Sequence, residues 1–185
     1  MWTASAKGIR IDEQIKLPQQ WHDLARVGIR FEVPAGFERL RWFGLGPDES
    51  YPDRLGAQTV NTWDQTVSAQ YHEYVTPQEH GSHELVRWFE LLNSSGQGLR
   101  IDTPERLRFA ARHSFDADLD VATTIANLVR RDATEVHIDA MMRGLGTDAC
   151  GPDARPAYRI PAGTYRFTWF LTAPAGVSSR LTPLR

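Results

Sequence analysis

The sequence predicts an all-β chain, an antiparallel β-sandwich with one short helix near residues 118–131. Three observations carry that prediction. Apolar and polar residues alternate with period two in segment after segment, as on a pleated strand with one buried face. Turn residues separate these segments at intervals of about 8–12 positions, the rhythm of a sandwich or barrel. One stretch alone changes to three- and four-residue spacing.

Taken in order, Ile9, Ile11, Ile15 and Leu17 share one parity, with Arg10, Asp12, Gln14 and Lys16 on the other. Val27, Ile29, Phe31 and Val33 repeat the pattern around Gly28, Arg30 and Glu32. Pro34-Ala-Gly36 makes a turn, and Leu40 with Trp42 opens the next strand. Further strands are expected over 84–92, 99–102, 106–113, 135–142, 157–160 and 164–171. In the last, Tyr165, Phe167, Trp169 and Leu171 face one way. Asn93-Ser-Ser-Gly96, Pro104, Gly151-Pro152 and Pro161-Ala-Gly163 punctuate them. The helix rests on Leu119, Ala122, Ile125, Ala126 and Val129, with Asp116, Asp118 and Asp120 at its start and Arg130 and Arg131 at its end. Residues 174–185 have few apolar anchors and are expected to form a loosely held tail behind a domain spanning 1–173. Met1 leads almost directly into a strand, so this domain is expected to be incomplete at its N-terminus.

The 185 residues, 41% hydrophobic and 24% charged, suit one globular domain that needs no disulfide or metal. A formal net charge of −2 gives no reason to expect nucleic acid or an anionic membrane as partner. Cys150 is the single cysteine, which excludes an internal disulfide and any multi-cysteine metal site. With no signal-like segment and no long apolar run, a soluble, cytoplasmic chain is expected.

Catalytic constellations are weak. Asp48, Glu49 and Asp53 lie in one turn-rich stretch, but an acid and base for glycoside hydrolysis must face each other across a cleft. Asp53 and Arg54 are expected to form a salt bridge or cap a turn. His72, His80 and His83 lack a third well-spaced ligand, so a solvated loop is expected rather than a metal site. Cys150 with His137 as base has no activating third group. Gly144-Leu-Gly146 resembles half a phosphate loop without its helix and is expected to be a turn at a strand end.

The run Trp42-Phe-Gly-Leu-Gly-Pro-Asp-Glu-Ser-Tyr-Pro-Asp-Arg54 resembles the W-x-G-x-G-P-x-E-N-Y-x-D-R pattern of the C-terminal domain of glycoside hydrolase family 2 β-galactosidases. Tyr74-Val-Thr-Pro-Gln-Glu79 with Gly81, the strand Val86-Arg87-Trp88, and Arg143-Gly-Leu-Gly-Thr147 with Cys150-Gly-Pro152 follow in the family's order. Tyr158-Arg-Ile160 and Gly163-Thr-Tyr165-Arg166-Phe167 match its closing strands. The resemblance covers about residues 26–171. It implies a galactose mutarotase-like supersandwich that packs against a catalytic barrel and borders a galactose pocket with its glycine loop. It assigns Gly144, Gly146 and Cys150 to that rim. Gly44, Gly46, Pro47, Glu49, Tyr51, Asp53, Arg54, Glu79, Arg87 and Trp88 become structural motif residues. It also implies that the two catalytic glutamates, and any Mg or Na, belong to the barrel and not to this chain. Three positions depart from the pattern. Cys150 stands where some members stack a Trp on the sugar, and Ser50 and His80 stand where the family shows Asn.

The expected role is therefore a non-catalytic domain of a β-galactosidase. Its partners are the barrel and other parent domains, with the galactoside contacted indirectly. Strands missing from such a domain would leave free edges, so the chain is expected to form a homodimer through them or to cover its edge by other means. Two other readings are a mutarotase-like enzyme using His72 with Glu79 or Glu90, and a carbohydrate-binding module using Trp42, Trp63, Trp88 and Trp169. In the core reading, Trp42, Trp88 and Trp169 are buried.

Overall fold

The computed structural model describes residues 1–21, 23–147 and 151–174. Among them, eleven strands form two antiparallel sheets. The larger sheet contains β1 (Trp2–Ser5), β2 (Gly8–Leu17), β4 (Arg39–Gly46), β5 (Thr59–Thr66), β7 (Trp88–Leu92), β8 (Gly98–Asp102) and β11 (Gly163–Thr172), in the order β1-β2-β11-β8-β7-β4-β5. The smaller contains β3 (Arg26–Val33), β6 (Ser82–His83), β9 (Arg108–Arg112) and β10 (Thr134–Met142), in the order β3-β10-β9-β6. The chain is thus an all-β sandwich, as its alternation predicts.

The core lies between the sheets. Leu40, Trp42, Phe89, Leu91, Ile101 and Phe167 of the large sheet meet Phe109, Val136 and Ile138 of the small one. Phe89 stacks on Phe109 with ring centroids 4.4 Å apart. Trp42 and Trp169 are core residues as expected, whereas Trp88 is half-buried and lies beneath Arg100, 4.3 Å from its ring centroid.

Four elements differ from the sequence reading. The segment 84–92 is not one strand. β6 ends at His83, Leu85 takes a left-handed φ of 56°, and the chain crosses to the other sheet before β7 begins at Trp88. The helix α1 spans only Asp116–Val121, and a single 3-10 turn follows at Ile125–Asn127. The β-branched residues Val121, Thr123 and Thr124 disfavour continuing it, and Ala122 is already extended. Arg131 consequently caps no helix; it reaches back to Asp118 at 2.6 Å. Residues 157–160 form no strand, because Pro156 starts a 3-10 turn to Tyr158. Finally, β5 escapes alternation because it is an edge strand, largely exposed and polar on both faces. The expected tail lies, beyond Pro174, outside the described residues, as does Cys150.

Candidate functional site

The motif residues converge at one end of the sandwich. β4 ends in Gly44-Leu-Gly46-Pro47, where a side chain cannot fit. A Cβ on Gly44 would come within 2.9 Å of the Val86 backbone, and one on Gly46 within 2.5 Å of the Trp63 indole nitrogen. That close approach lets Leu45 N–H donate to Glu84 O at 3.0 Å and holds the following loop against the crossing segment. Ser50 N–H donates to Ser82 O at 2.7 Å, and its hydroxyl accepts from Glu84 N–H at 2.8 Å. The Ser50 hydroxyl thus makes the kind of backbone bond expected of an amide. His80 likewise places Nδ1 2.9 Å from Gln78 O.

Glu49 is the hub of this loop. Its carboxylate accepts from the Tyr51 hydroxyl at 3.2 Å, from Gly81 N–H at 2.9 Å, from Arg54 at 3.3 Å and from the Tyr74 hydroxyl. Tyr51 is fully buried, and burial raises its hydroxyl well above the ordinary value, with Glu79 and Glu49 adding to the effect. Arg54 therefore pairs with Glu49 and Tyr74 and not with Asp53, so of the two expected arrangements, a salt bridge or a capped turn, the salt bridge is not formed.

Asp53 does something else. It reaches across 92 residues to accept from Leu145 N–H at 3.1 Å and from Gly146 N–H at 2.8 Å. Gly144 leaves room for this, since a Cβ there would lie 2.7 Å from Asp53 Cγ. Gly146 has a left-handed φ of 64°. Arg143 anchors the base of the same loop through Asp23 at 2.6 Å and Asp153 at 2.7 Å, which raises its guanidinium above its ordinary value. Gly144–Gly146 is thus a turn leaving β10, as expected, held by two separate carboxylate systems.

Beside this loop lies an ionic cluster that sequence reasoning missed. Arg112 on β9, with a fully buried side chain, donates to Glu79 at 2.7 Å and to Asp116 at 2.5 Å. Arg26 on β3 donates to the other Glu79 oxygen at 3.1 Å and lies 3.5 Å from Asp139. Burial alone would raise the Glu79 carboxyl, but Arg112 and Arg26 outweigh it and hold the group below the ordinary range. Asp139 is fully buried with no hydrogen-bond donor among the described residues; burial raises its carboxyl despite Arg26. The signal in the sequence was Glu135-x-His137-x-Asp139 on the polar parity of β10, which is an internal strand of its sheet.

Asp116, Glu135 and His137 converge closely enough to hold a metal ion. The Arg112 guanidinium already occupies that position, 3.1 Å from His137 Nε2 and 3.7 Å from Glu135. The trio therefore holds the Arg112 guanidinium, which as arranged fills the position a metal ion would take.

The other candidate residues scatter. His80 and His83 are buried, correcting the expected solvated loop, and His83 packs 4.3 Å from Trp42. Burial pushes the His83 imidazole down to about 3. His72 is exposed, Glu79 is engaged by two arginines, and Glu90 is held by Arg41 and Arg100 at 3.0 Å each. No acid–base pair of the mutarotase kind is assembled from them. Trp42 is fully buried, Trp63 is half-buried and donates to Gly44 O, Trp88 lies beneath Arg100 and Trp169 borders a separate apolar cleft, so the four rings share no common platform. Arg87 stacks on Phe43 at 4.8 Å. No helix among the described residues is long and apolar enough to cross a membrane.

Fold and site together define an antiparallel β-sandwich module whose end loops are fixed by carboxylate and arginine networks. The chain belongs to the β-galactosidase small chain family, whose profile matches residues 1–171. It is 34% identical over 142 residues to a β-galactosidase of Arthrobacter sp. (strain B7), a match covering 73% of this chain and 14% of that protein. It is 28% identical over 172 residues to a β-galactosidase of Kluyveromyces lactis, covering 92% and 17%. With the β-galactosidase BgaC of Bifidobacterium adolescentis it shares 40% identity over 74 residues, 40% of this chain and 7% of that one. The chain therefore spans a small fraction of the length of these relatives.

Proposed function

We propose that this chain is a non-catalytic C-terminal domain of a glycoside hydrolase family 2 β-galactosidase, bracing the catalytic barrel and bordering the galactose pocket with the Gly144–Gly146 loop. The observation that carries this is the double anchoring of that loop, by Asp53 from one side and by Arg143 with Asp23 and Asp153 from the other. A loop fixed by bonds between distant parts of the chain is preorganised to meet another surface without an ordering cost. Beside it, an open cleft of about 430 Å³ lined by Arg26, Glu79, Met142, Arg143 and Leu145 gives a neighbouring domain a concave contact. The catalytic glutamates, and the Mg or Na of such enzymes, belong to the barrel in this reading. Lactose and other terminal β-galactosides are the substrates of the assembled enzyme, which works in the cytoplasm. Partners are the other domains of that enzyme, with a second copy of the chain at a free strand edge.

The test is reconstitution. The purified chain is mixed with a β-galactosidase polypeptide lacking the matching region, and hydrolysis of a chromogenic β-galactoside is followed. Restored activity is expected with the native chain, much less with Asp53→Ala, and none with the chain alone. Hydrolysis by the highly purified chain alone, or no restoration by the native chain, would overturn the reading.

A further inference from the structure

The turn that carries Asp53 is seated at both ends by one side chain. Tyr51 and Arg54 pair as an isolated antiparallel bridge, with Arg54 N–H donating to Tyr51 O at 2.8 Å and Tyr51 N–H to Arg54 O at 3.3 Å. Pro52 and Asp53 are therefore the two residues at the tip of a tight hairpin. So short a tip has little freedom of its own, and the direction of Asp53 follows from how Tyr51 and Arg54 are held.

Glu49 holds both. Its Oε2 accepts from the Tyr51 hydroxyl at 3.2 Å and its Oε1 from Arg54 at 3.3 Å. Arg54 also donates to the Tyr74 hydroxyl at 2.9 Å, and that hydroxyl donates to Oε1 of Glu49. Gly81 N–H, 2.9 Å from Oε2, ties the carboxylate to the backbone just ahead of β6. Every partner is a donor, the set that an ionised carboxylate, an acceptor only, can satisfy. From the hairpin tip, Asp53 then spans to Leu145 N–H at 3.1 Å and Gly146 N–H at 2.8 Å. An amide in place of the Glu49 carboxylate would have to turn its NH2 toward Arg54 and Tyr74 or toward Tyr51 and Gly81. The hydroxyls can rotate to accept from it, but the Arg54 guanidinium and Gly81 N–H cannot. One support of the turn is lost either way, at almost unchanged volume.

We propose that Glu49 is a positioning residue for substrate binding, setting the Asp53 turn and, through Asp53, the Gly144–Gly146 loop; the link to substrate rests on the reading of that loop as the border of the galactose pocket.

The experiment has two arms. In the chain alone, amide hydrogen exchange at Leu145 and Gly146 should quicken at least about tenfold in Asp53→Asn, and likewise in Glu49→Gln, whose altered group bonds neither amide. Tyr74→Phe removes only the hydroxyl between Arg54 and Glu49. It should give a smaller change of the same sign, and it replaces Glu49→Gln should that variant lose its near-ultraviolet dichroism. Combining Glu49→Gln with Asp53→Asn should quicken exchange no further than Asp53→Asn alone, because the two act in series, whereas a general loosening would add. In the reconstituted enzyme, Glu49→Gln should raise KM for a chromogenic β-galactoside about tenfold, with a smaller effect on kcat. Unchanged exchange at Leu145 and Gly146 in Glu49→Gln and Tyr74→Phe, or additive effects in the double variant, overturns the proposal. So does faster exchange with an unaltered KM. Failure of the native chain to restore activity refutes the reading of the loop as the pocket's border, whereas the exchange arm separately decides whether Glu49 sets that loop.

Discussion

Removing the Arg112 guanidinium should expose how much of this sandwich depends on one buried cation. Arg112→Met keeps length and apolar volume but strips the charge from a side chain with no solvent exposure, 2.7 Å from Glu79, 2.5 Å from Asp116 and 3.7 Å from Glu135. Breaking a buried ion pair by deleting one partner costs about 3–5 kcal/mol, because the remaining charge stays desolvated without compensation. Against a typical total stability of roughly 5–15 kcal/mol, that is a large fraction. In urea, with a slope of about 2 kcal/mol/M, the unfolding midpoint should fall by roughly 1.5–2.5 M.

The pH dependence separates charge from packing. The folded Glu79 carboxyl is held below its ordinary value of 4.5, so its stabilisation is present above that pH and is lost as pH falls through the folded value. The gap between native and Arg112→Met protein should therefore be widest near neutrality and should narrow in acid. A loss below about 1 kcal/mol at neutral pH, or a gap constant with pH, would refute the reasoning.

Other outcomes follow from the same geometry. His83 is neutral when folded down to about pH 3, while the unfolded chain takes up its proton near 6.5. Stability should thus be complete above pH 6.5 and fall by about 1.4 kcal/mol per pH unit below it, and His83→Asn should remove that share of the slope in denaturant titrations at a series of pH values. Gly146→Val forces a branched residue to a φ of 64° and brings its Cβ 2.5 Å from Ala154 N, so a loss of about 2 kcal/mol and a Tm lower by roughly 4–8 °C are expected in calorimetry. Gly144→Val should push Asp53 off the loop, from a contact of 2.7 Å. Both glycine variants should keep the near-ultraviolet dichroism of the aromatic core; its disappearance would show that the loop supports the whole fold.

Alternation by itself determined the sandwich, because a strand's period of two is a local property that needs no knowledge of its neighbours. The apolar faces of β3 and β11 were legible in Ile29 and Trp169 before any pairing was known. The glycines of the two loops were equally visible, although not what they make room for. Tertiary structure alone decided the charges. Asp53 adjoins Arg54 in sequence yet bonds the backbone 92 residues away, and Arg143 finds Asp23 across 120 residues. It also decided that His80 and His83 are buried, that 84–92 divides between the two sheets, and that the E-x-H-x-D run of β10 faces an arginine rather than water. The physical reason is reach. Hydrophobic periodicity is written along a few residues, whereas the partner of an ion depends on which strands become neighbours, and desolvation then makes that partner obligatory.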